Sequence, residues 1–449
     1  MDMLTLSLLF AVATFVGLFS GMPIAFALGG VALLFMLFFM PLSSLALVTE
    51  TIYAELDNFT LLTIPLFVLM GAAIGKSRAG EDLYASLNRW LYRVPGGLGV
   101  ANTLACSVFS AMCGSSPATC SAIGSSGIPQ MRSRGYSDGL STGLIAAGGT
   151  LGILIPPSLT LILYGLATEQ SIGKLFMAGV GPGLLLTLLF ALYVMWRYKK
   201  EKAQARASAD AGGDGSHALL QEEHYSWAER LESLPRFAPF LAVIAIVMIA
   251  LYGGWATPSE VAGIGAFFSL LMVMTIYKCY RWADLKVILN GTVKESCMIM
   301  MIIGMSFLYT WVMSNLNITQ EAAQWLVTLP IGKWGFFLAV CVLLLVLGFF
   351  LPPVAIILMV TPIILPALNT HGFDLIWFGV IMTIMLEAGL VTPPVGLNLF
   401  VINGIAPDIP LKAIMKGVLP FIWLMLLAVL LLCLMPGIAM WLPDHYQGS

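Results

Sequence analysis

An all-α polytopic membrane protein, an inverted-topology repeat with about ten transmembrane helices, two re-entrant hairpins and two broken helices, is the fold class this sequence predicts. Three observations predict it: a composition too apolar for a soluble globule, motifs that recur at one nearly constant offset, and loop charges that swap sides between the copies. The 449 residues are 59% hydrophobic and 10% charged, with a mean hydropathy of +0.94. So little polar surface cannot cover a soluble domain, and the chain has to live in a bilayer. Its apolar runs are roughly 17–25 residues long, the helical length that crosses about 30 Å of hydrocarbon. The start, MDMLTLSLLFAVATFVGLF, has neither a basic leader nor a small-residue cleavage site, and reads as a first span that is kept.

The repeat is legible directly. SIGKLFMAGVGP (171–182) aligns with IPLKAIMKGVLP (409–420), matching Lys174 with Lys412, Gly179 with Gly417 and Pro182 with Pro420 at an offset of 238. ILIPPSLTLILYGLA (153–167) aligns likewise with LVTPPVGLNLFVINGIA (390–406), and Pro129 with Pro366. Residues 1–200 and 237–449 therefore read as two copies, joined by the polar, partly amphipathic segment 201–236. Lys and Arg mark cytoplasmic loops. Loop 41–57 has none, whereas its copy at 278–294 has Lys278, Arg281, Lys286 and Lys294. Loop 76–93 carries Lys76, Arg78, Arg89 and Arg93 while its copy at 314–330 carries none, and Arg132 and Arg134 face the uncharged-by-Lys/Arg stretch 369–374. Each basic loop has a non-basic twin, which is what copies of opposite orientation give.

Threading the chain with those loops pinned gives each half three spans, a segment whose ends share one side, a broken span and a final span. The returning segments, about 98–131 and about 332–368, are the expected re-entrant hairpins, with tips at GSSPAT and FLPPVA. The broken spans, about 139–167 and about 376–404, are interrupted at ILIPPS and LVTPPVG, because Pro-Pro cannot continue a helix. This threading places both termini in the periplasm and 197–236 in the cytoplasm.

Non-helical backbone at membrane depth is tolerated only where it lines a cavity or is buried in protein, and half-helix ends offer amides to anions and carbonyls to cations. The polar tip within CGSSPATCSAIGSSG (113–127) is therefore a candidate binding site. Ser115, Ser116 and Thr119 supply hydroxyl oxygens suited to a small hard cation, completed by freed carbonyls. Close packing of two hairpin arms accounts for the Gly and Ser there, but not for the Pro or the repeat-related breaks. Glu387, in MLEAGLVTPPVG, is the carboxylate expected inside a span beside a break. A charge there costs about 2.5–3.5 kcal/mol unless compensated. It either balances cation charge or binds freed amides, or else sits near the membrane surface or caps a half-helix. Asn398 is a ligand candidate whose alternative is helix-packing glue.

Together, GMPIAFALGG, GSSPAT followed by AIGSSGIPQM, LGILIPPS, TPIILPAL, FGVIM and GLVTPPVGLNLFV resemble the large membrane subunit of the tripartite ATP-independent periplasmic (TRAP) transporters, in order and over essentially the whole chain. The resemblance implies sodium-coupled import of a small organic acid anion across the bacterial inner membrane. It implies an elevator movement of the hairpins and broken helices past a fixed scaffold. It also implies two partners, a small four-helix membrane subunit and a soluble periplasmic substrate-binding protein. Carried over position by position, the tips are Gly114–Thr119 and Leu351–Ala355, and the breaks are Pro156–Ser158 and Thr392–Gly396. Sodium ligands are then expected at Gly114, Ser115, Thr119, Pro352, Thr361, Thr392 and Gly396, partly through carbonyls. Substrate contacts are expected at Ser116, Pro117, Thr150, Pro157, Ser158, Pro394 and Asn398. One departure is that Pro352 occupies a position often acidic in the family, which leaves the second cation site dependent on carbonyls, Thr361 and Thr392. GSSPAT and LGILIPPS look most like members that move C4-dicarboxylates.

Other classes are disfavoured. His217, His224, His371 and His445 lie in polar loops or at the C-terminus, and paired buried carboxylates are lacking, so an intramembrane enzyme is not expected. The seven cysteines form no CxxC pair, which speaks against zinc or disulfides. There is no Walker A motif to use ATP directly, and the basic run 197–206 reads as a stop signal and not as a nucleic-acid patch. A symporter that works without a binding protein is the alternative that broken inverted repeats alone equally permit.

Overall fold

The computed structural model describes residues 3–210, 225–328 and 332–445, and among these every regular element is helical. The first half comprises α1 (Met3–Phe19), α2 (Ile24–Phe39), α3 (Leu47–Leu56), α4 (Thr63–Lys76), α5 (Ala79–Leu91), α6 (Gly97–Cys113), α7 (Ser116–Ser133), α8 (Asp138–Gly148), α9 (Leu159–Thr168) and α10 (Ile172–Asp210). The second comprises α11 (Trp227–Tyr252), α12 (Pro258–Thr275), α13 (Trp282–Asn315), α14 (Ile318–Thr328), α15 (Lys333–Gly348), α16 (Pro353–Thr370), α17 (Leu375–Val391), α18 (Leu397–Ile405), α19 (Leu411–Leu434) and α20 (Gly437–His445). Among the described residues six helices are long and apolar enough to cross a membrane: α4 with the turn before it, α10, α12, α13, α16 and α19. Shorter apolar helices, including α1, α2, α6, α9, α15 and α17, accompany them.

Where the sequence pattern suggested loops, much of the backbone is helical. The stretch 76–93 forms α5, whose Leu83, Tyr84 and Leu87 are buried at helical spacing while Glu81 and Trp90 face outward. Such a face lies along a surface more readily than it crosses hydrocarbon. The basic stretch 278–294 is mostly the start of α13, whose 34 residues make about 50 Å of helix, well beyond a hydrocarbon core of about 30 Å. The linker shortens in the same way. α10 runs on to Asp210, and α11 starts at Trp227 behind a capping box of Ser226 and Glu229; residues 211–224 lie outside those described.

Burial divides the helices into two sets. α6, α8 and α17 are enclosed along nearly their whole length. Helices α1, α2, α12 and α13 bury one face and leave Phe15, Phe38, Phe267 and Met298 exposed, as lipid-facing helices do. The enclosed set interleaves the two halves. α8 packs along α19, α16 along α9, and α18 against both α7 and α8.

Small residues permit this. At the α8–α19 contact a Cβ on Gly417 would strike the carbonyl of Gly139, and one on Gly143 would strike the Gly417 carbonyl. A Cβ on Gly152 would hit the backbone of Ser107 and Ala111 of α6, and one on Gly389 would lie 2.6 Å from the Cα of Gly348. Backbones this close trade side-chain bulk for dispersion contact, which drives helix association where hydrophobic burial does not.

Gly417→Val should therefore lower the stability of the folded chain in detergent by about 1–3 kcal/mol. Gly404→Ala, at a site with no atom within 4 Å of the added carbon, should not. Thermal unfolding of both variants checks this.

Candidate functional site

The first tip is a sharp reversal. α6 ends at Gly114, left-handed at φ 65°, whose N–H returns to the Ser110 carbonyl at 2.8 Å. A residue with a Cβ would be strained in that conformation. Ser115 is extended, and its carbonyl accepts from both the amide and the hydroxyl of Thr119, each at 3.0 Å. Pro117 sits in the first turn of α7, where no helical N–H is needed. The buried Ser116 hydroxyl does not face outward; it donates to Oε2 of Glu387 at 2.5 Å.

That hydrogen bond joins the first half's tip to the second half's broken helix. Glu387 is 1% exposed, and its other oxygen, Oε1, has no hydrogen-bond partner among the described residues. Asn398, the first buried residue of α18, donates from Nδ2 to the Ala146 carbonyl near the end of α8 at 3.0 Å. Because that carbonyl fixes the amide's orientation, the buried Oδ1 of Asn398 is an unpartnered acceptor. Ala146 also accepts from the thiol of Cys120, one turn along α7 from Ser116, at 3.6 Å. Gly149 completes the enclosure: its carbonyl accepts from Ser110 at 2.8 Å, and a Cβ there would lie 2.7 Å from the Ser116 carbonyl. Four interrupted segments, α7, α8, α17 and α18, thus converge on one buried polar junction.

The breaks themselves differ in exposure. In the first, Thr150 bonds back to the Ala147 carbonyl at 2.7 Å, and Ser158 caps α9 by accepting from the Leu161 amide at 3.3 Å. Pro156, Pro157 and Ser158 are all buried. In the second, the Thr392 hydroxyl bonds back to Ala388 at 2.6 Å, Gly396 is left-handed at φ 60°, and Pro394 is exposed. The Pro156–Pro157 and Pro393–Pro394 peptide bonds are both cis. At the second tip Pro352 is half-buried and opens α16, while Thr361 lies two turns further along, against the sulfur of Met382 at 3.7 Å. The structure thus gathers Ser116, Glu387 and Asn398 around the end of α8. It leaves Thr361 inside the α16–α17 packing and Pro394 at the surface.

Comparison with known proteins agrees with this architecture. The family described as "Tripartite ATP-independent periplasmic transporter, DctM component" matches residues 11–438. The chain belongs to that family. As a DctM component it is a multi-pass membrane protein and part of a transporter. It is 37% identical, over 86% of its length and 87% of the relative's, to the C4-dicarboxylate TRAP transporter large permease protein DctM of Pseudomonas aeruginosa. Its identity to the protein of the same name in Vibrio cholerae is 32%, over 95% of both chains. The ectoine TRAP transporter large permease protein TeaC of Halomonas elongata is 28% identical over 96% of this chain and 98% of its own. The fold also resembles the YdaH transporter of Alcanivorax borkumensis, with a TM-score of 0.62 at 14% identity, covering 96% of this chain and 98% of that one.

Sequence reasoning on this DctM component missed Ser110, Ala146 and Gly149. Ser110 carried a faint signal, a hydroxyl one turn before the tip in an otherwise apolar arm. Ala146 and Gly149 act through their carbonyls and carried none. At the repeat offset of 237, moreover, Glu387 stands where the first half has Thr150, a pairing visible once the breaks are superposed.

The Ser116–Glu387 bond should be worth measuring as a coupling. In a double-mutant cycle of Ser116→Ala and Glu387→Gln, unfolding should report an interaction of about 1.5–3 kcal/mol, the range for hydrogen bonds to charged groups. Additive effects would mean the two side chains do not act together.

Proposed function

We propose that this chain is the permease of a sodium-coupled importer of a small organic acid anion, of the C4-dicarboxylate class, in the bacterial inner membrane. The observation that carries the reading is the buried junction of interrupted helices. There Glu387 Oε1 and Asn398 Oδ1 stand without donors, and helix ends of both halves converge. Unpartnered acceptors suit a cation, and they are expensive to bury without one. The N-terminal ends of α7 and α18, at the positive end of each helix dipole, suit a carboxylate.

In this reading Gly114, Ser115 and Thr119 supply oxygen to one sodium ion, and Pro352, Thr392 and Gly396 to another, with Thr361 stiffening the second site. Ser116, Pro117, Thr150, Pro157, Ser158, Pro394 and Asn398 border the substrate. The Ser116 hydroxyl donates its hydrogen bond to Glu387 and keeps its lone pairs for the cation. Glu387 compensates cation charge. The helices α6 to α9 and α15 to α18 carry the site past the lipid-facing helices as an elevator. The hairpins α6–α7 and α15–α16 are re-entrant, the two halves have opposite orientation, both termini are periplasmic, and the segment 197–236 is cytoplasmic.

A small four-helix membrane subunit and a periplasmic binding protein complete the assembly. The dicarboxylate assignment rests on the relatives of highest quoted identity, whose names carry that substrate; the more distant relative that names ectoine shows how widely substrates vary in the family.

Uptake of labelled succinate into proteoliposomes holding this chain and its small subunit tests the proposal. Uptake should require both an inward sodium gradient and the binding protein. Sodium-driven uptake that needs no binding protein would instead make it a self-sufficient symporter, and uptake indifferent to sodium would overturn the coupling.

A further inference from the structure

Away from the junction, a basic and aromatic cluster gathers where α5 meets the start of α11. α5 supplies Arg89, the turn after it Tyr92 and Arg93, and the segment opening α11 supplies Tyr225, Trp227 and Arg230. Arg230 is only 5% exposed, with its guanidinium 4.6 Å from the ring centre of Tyr92 and 4.7 Å from that of Trp227. Arg93 lies 5.6 Å from the Tyr92 ring centre, its Nε donating to the Tyr92 hydroxyl at 2.9 Å. Arg89 donates to the Glu229 carbonyl at 3.3 Å and lies 6.0 Å from the Tyr225 ring.

Three positive charges are thus assembled in one small cluster. Among the described residues none of Arg89, Arg93 and Arg230 forms an ion pair, whereas nearby Arg236 is paired with Asp82 at 3.7 Å. The closest acid in sequence, Glu229, is engaged by the amide and hydroxyl of Ser226 at 2.7 and 2.9 Å. The hydrogen bond from Arg93 also holds the Tyr92 phenol below its ordinary pKa, the mark of a positive field. Most telling is that Arg230 Nε is buried with no acceptor. Aromatic faces compensate a buried guanidinium only in part, and an uncompensated donor there is costly.

The missing component is an anion with several oxygens, which a planar guanidinium binds in a fork. The surroundings say where it comes from. Trp227 and Trp90 are exposed beside the cluster, and residues of this kind line the bilayer surface. α5 follows directly on the span α4, so the cluster lies at headgroup level. Basic pockets between helices at that level take lipid phosphates. We propose that Arg89, Arg93 and Arg230 bind the phosphate of an anionic phospholipid such as phosphatidylglycerol, with the three aromatic rings walling the headgroup. The bound lipid ties α5 of one half to α11 of the other.

The test is lipid binding to the purified full chain by native mass spectrometry, with titrations of phosphatidylglycerol, phosphatidylcholine and inorganic phosphate. Phosphatidylglycerol should bind best, and Arg89→Ala with Arg93→Ala should cut its affinity on the order of tenfold. Lys333→Ala, which removes a cation lying over Phe373 elsewhere in the structure, should leave it unchanged. Arg230→Lys keeps the charge but loses the fork, and should weaken binding without unfolding the chain. Equal binding of phosphatidylcholine, or equal loss in the Lys333 variant, would overturn the site. Binding of inorganic phosphate as tight as that of the lipid would show a free-anion site and overturn the lipid assignment.

Discussion

The structure depends on one constraint: in hydrocarbon, each backbone amide and carbonyl has to find a partner inside the protein. This chain interrupts its helices at two tips and two breaks, and at the first tip and both breaks it supplies specific substitutes. Ser110 takes the Gly149 carbonyl, Asn398 and Cys120 take that of Ala146, and the Gly114 amide folds back on Ser110. Thr150 and Thr392 close the last turns of α8 and α17 through their own hydroxyls. Where these segments meet, the described residues leave two side-chain oxygens without a partner, Glu387 Oε1 and Asn398 Oδ1. Two unpartnered acceptors at a junction of helix ends are what the proposed ion site would use.

Closing the interruptions requires the halves to interlock. Ser116 of the first half meets Glu387 of the second, and Asn398 of the second meets Ala146 of the first. The close backbone approach of Gly139 and Gly143 to Gly417 interlocks the halves in the same way, at α8 and α19. Packing and polar satisfaction are therefore one problem here, solved by glycine where backbones touch and by short hydroxyls where carbonyls are freed. The outer helices α1, α2, α12 and α13 bury one face, where Thr14 of α1 meets Tyr309 of α13 at 2.9 Å, and expose Phe and Leu side chains on the other.

Much of this was legible in the sequence for a physical reason. Helix interruptions are written in Gly and Pro, whose backbone limits are local, and helices do stop at Cys113, Gly148, Gly348 and Val391. Apolar content dictated helices, and the family motifs named the class of protein. Two things were not legible. Stretches expected as loops, 76–93 and 278–294, fold as α5 and the start of α13, because charge marks a membrane face without forbidding helix there. The partner of Ser116 was hidden because it lies 271 residues away, and because the expectation of a free, ligand-facing hydroxyl took no account of a buried carboxylate able to claim it.

The central claim is that the junction of Ser116, Glu387 and Asn398 is a place where a cation completes the fold. Thermal unfolding of the purified chain against increasing sodium chloride, with potassium chloride at equal ionic strength as reference, tests it most directly. The account predicts a saturable rise in the unfolding midpoint that sodium gives and potassium does not, and that Glu387→Gln diminishes. Equal midpoints in the two salts at every concentration would contradict it.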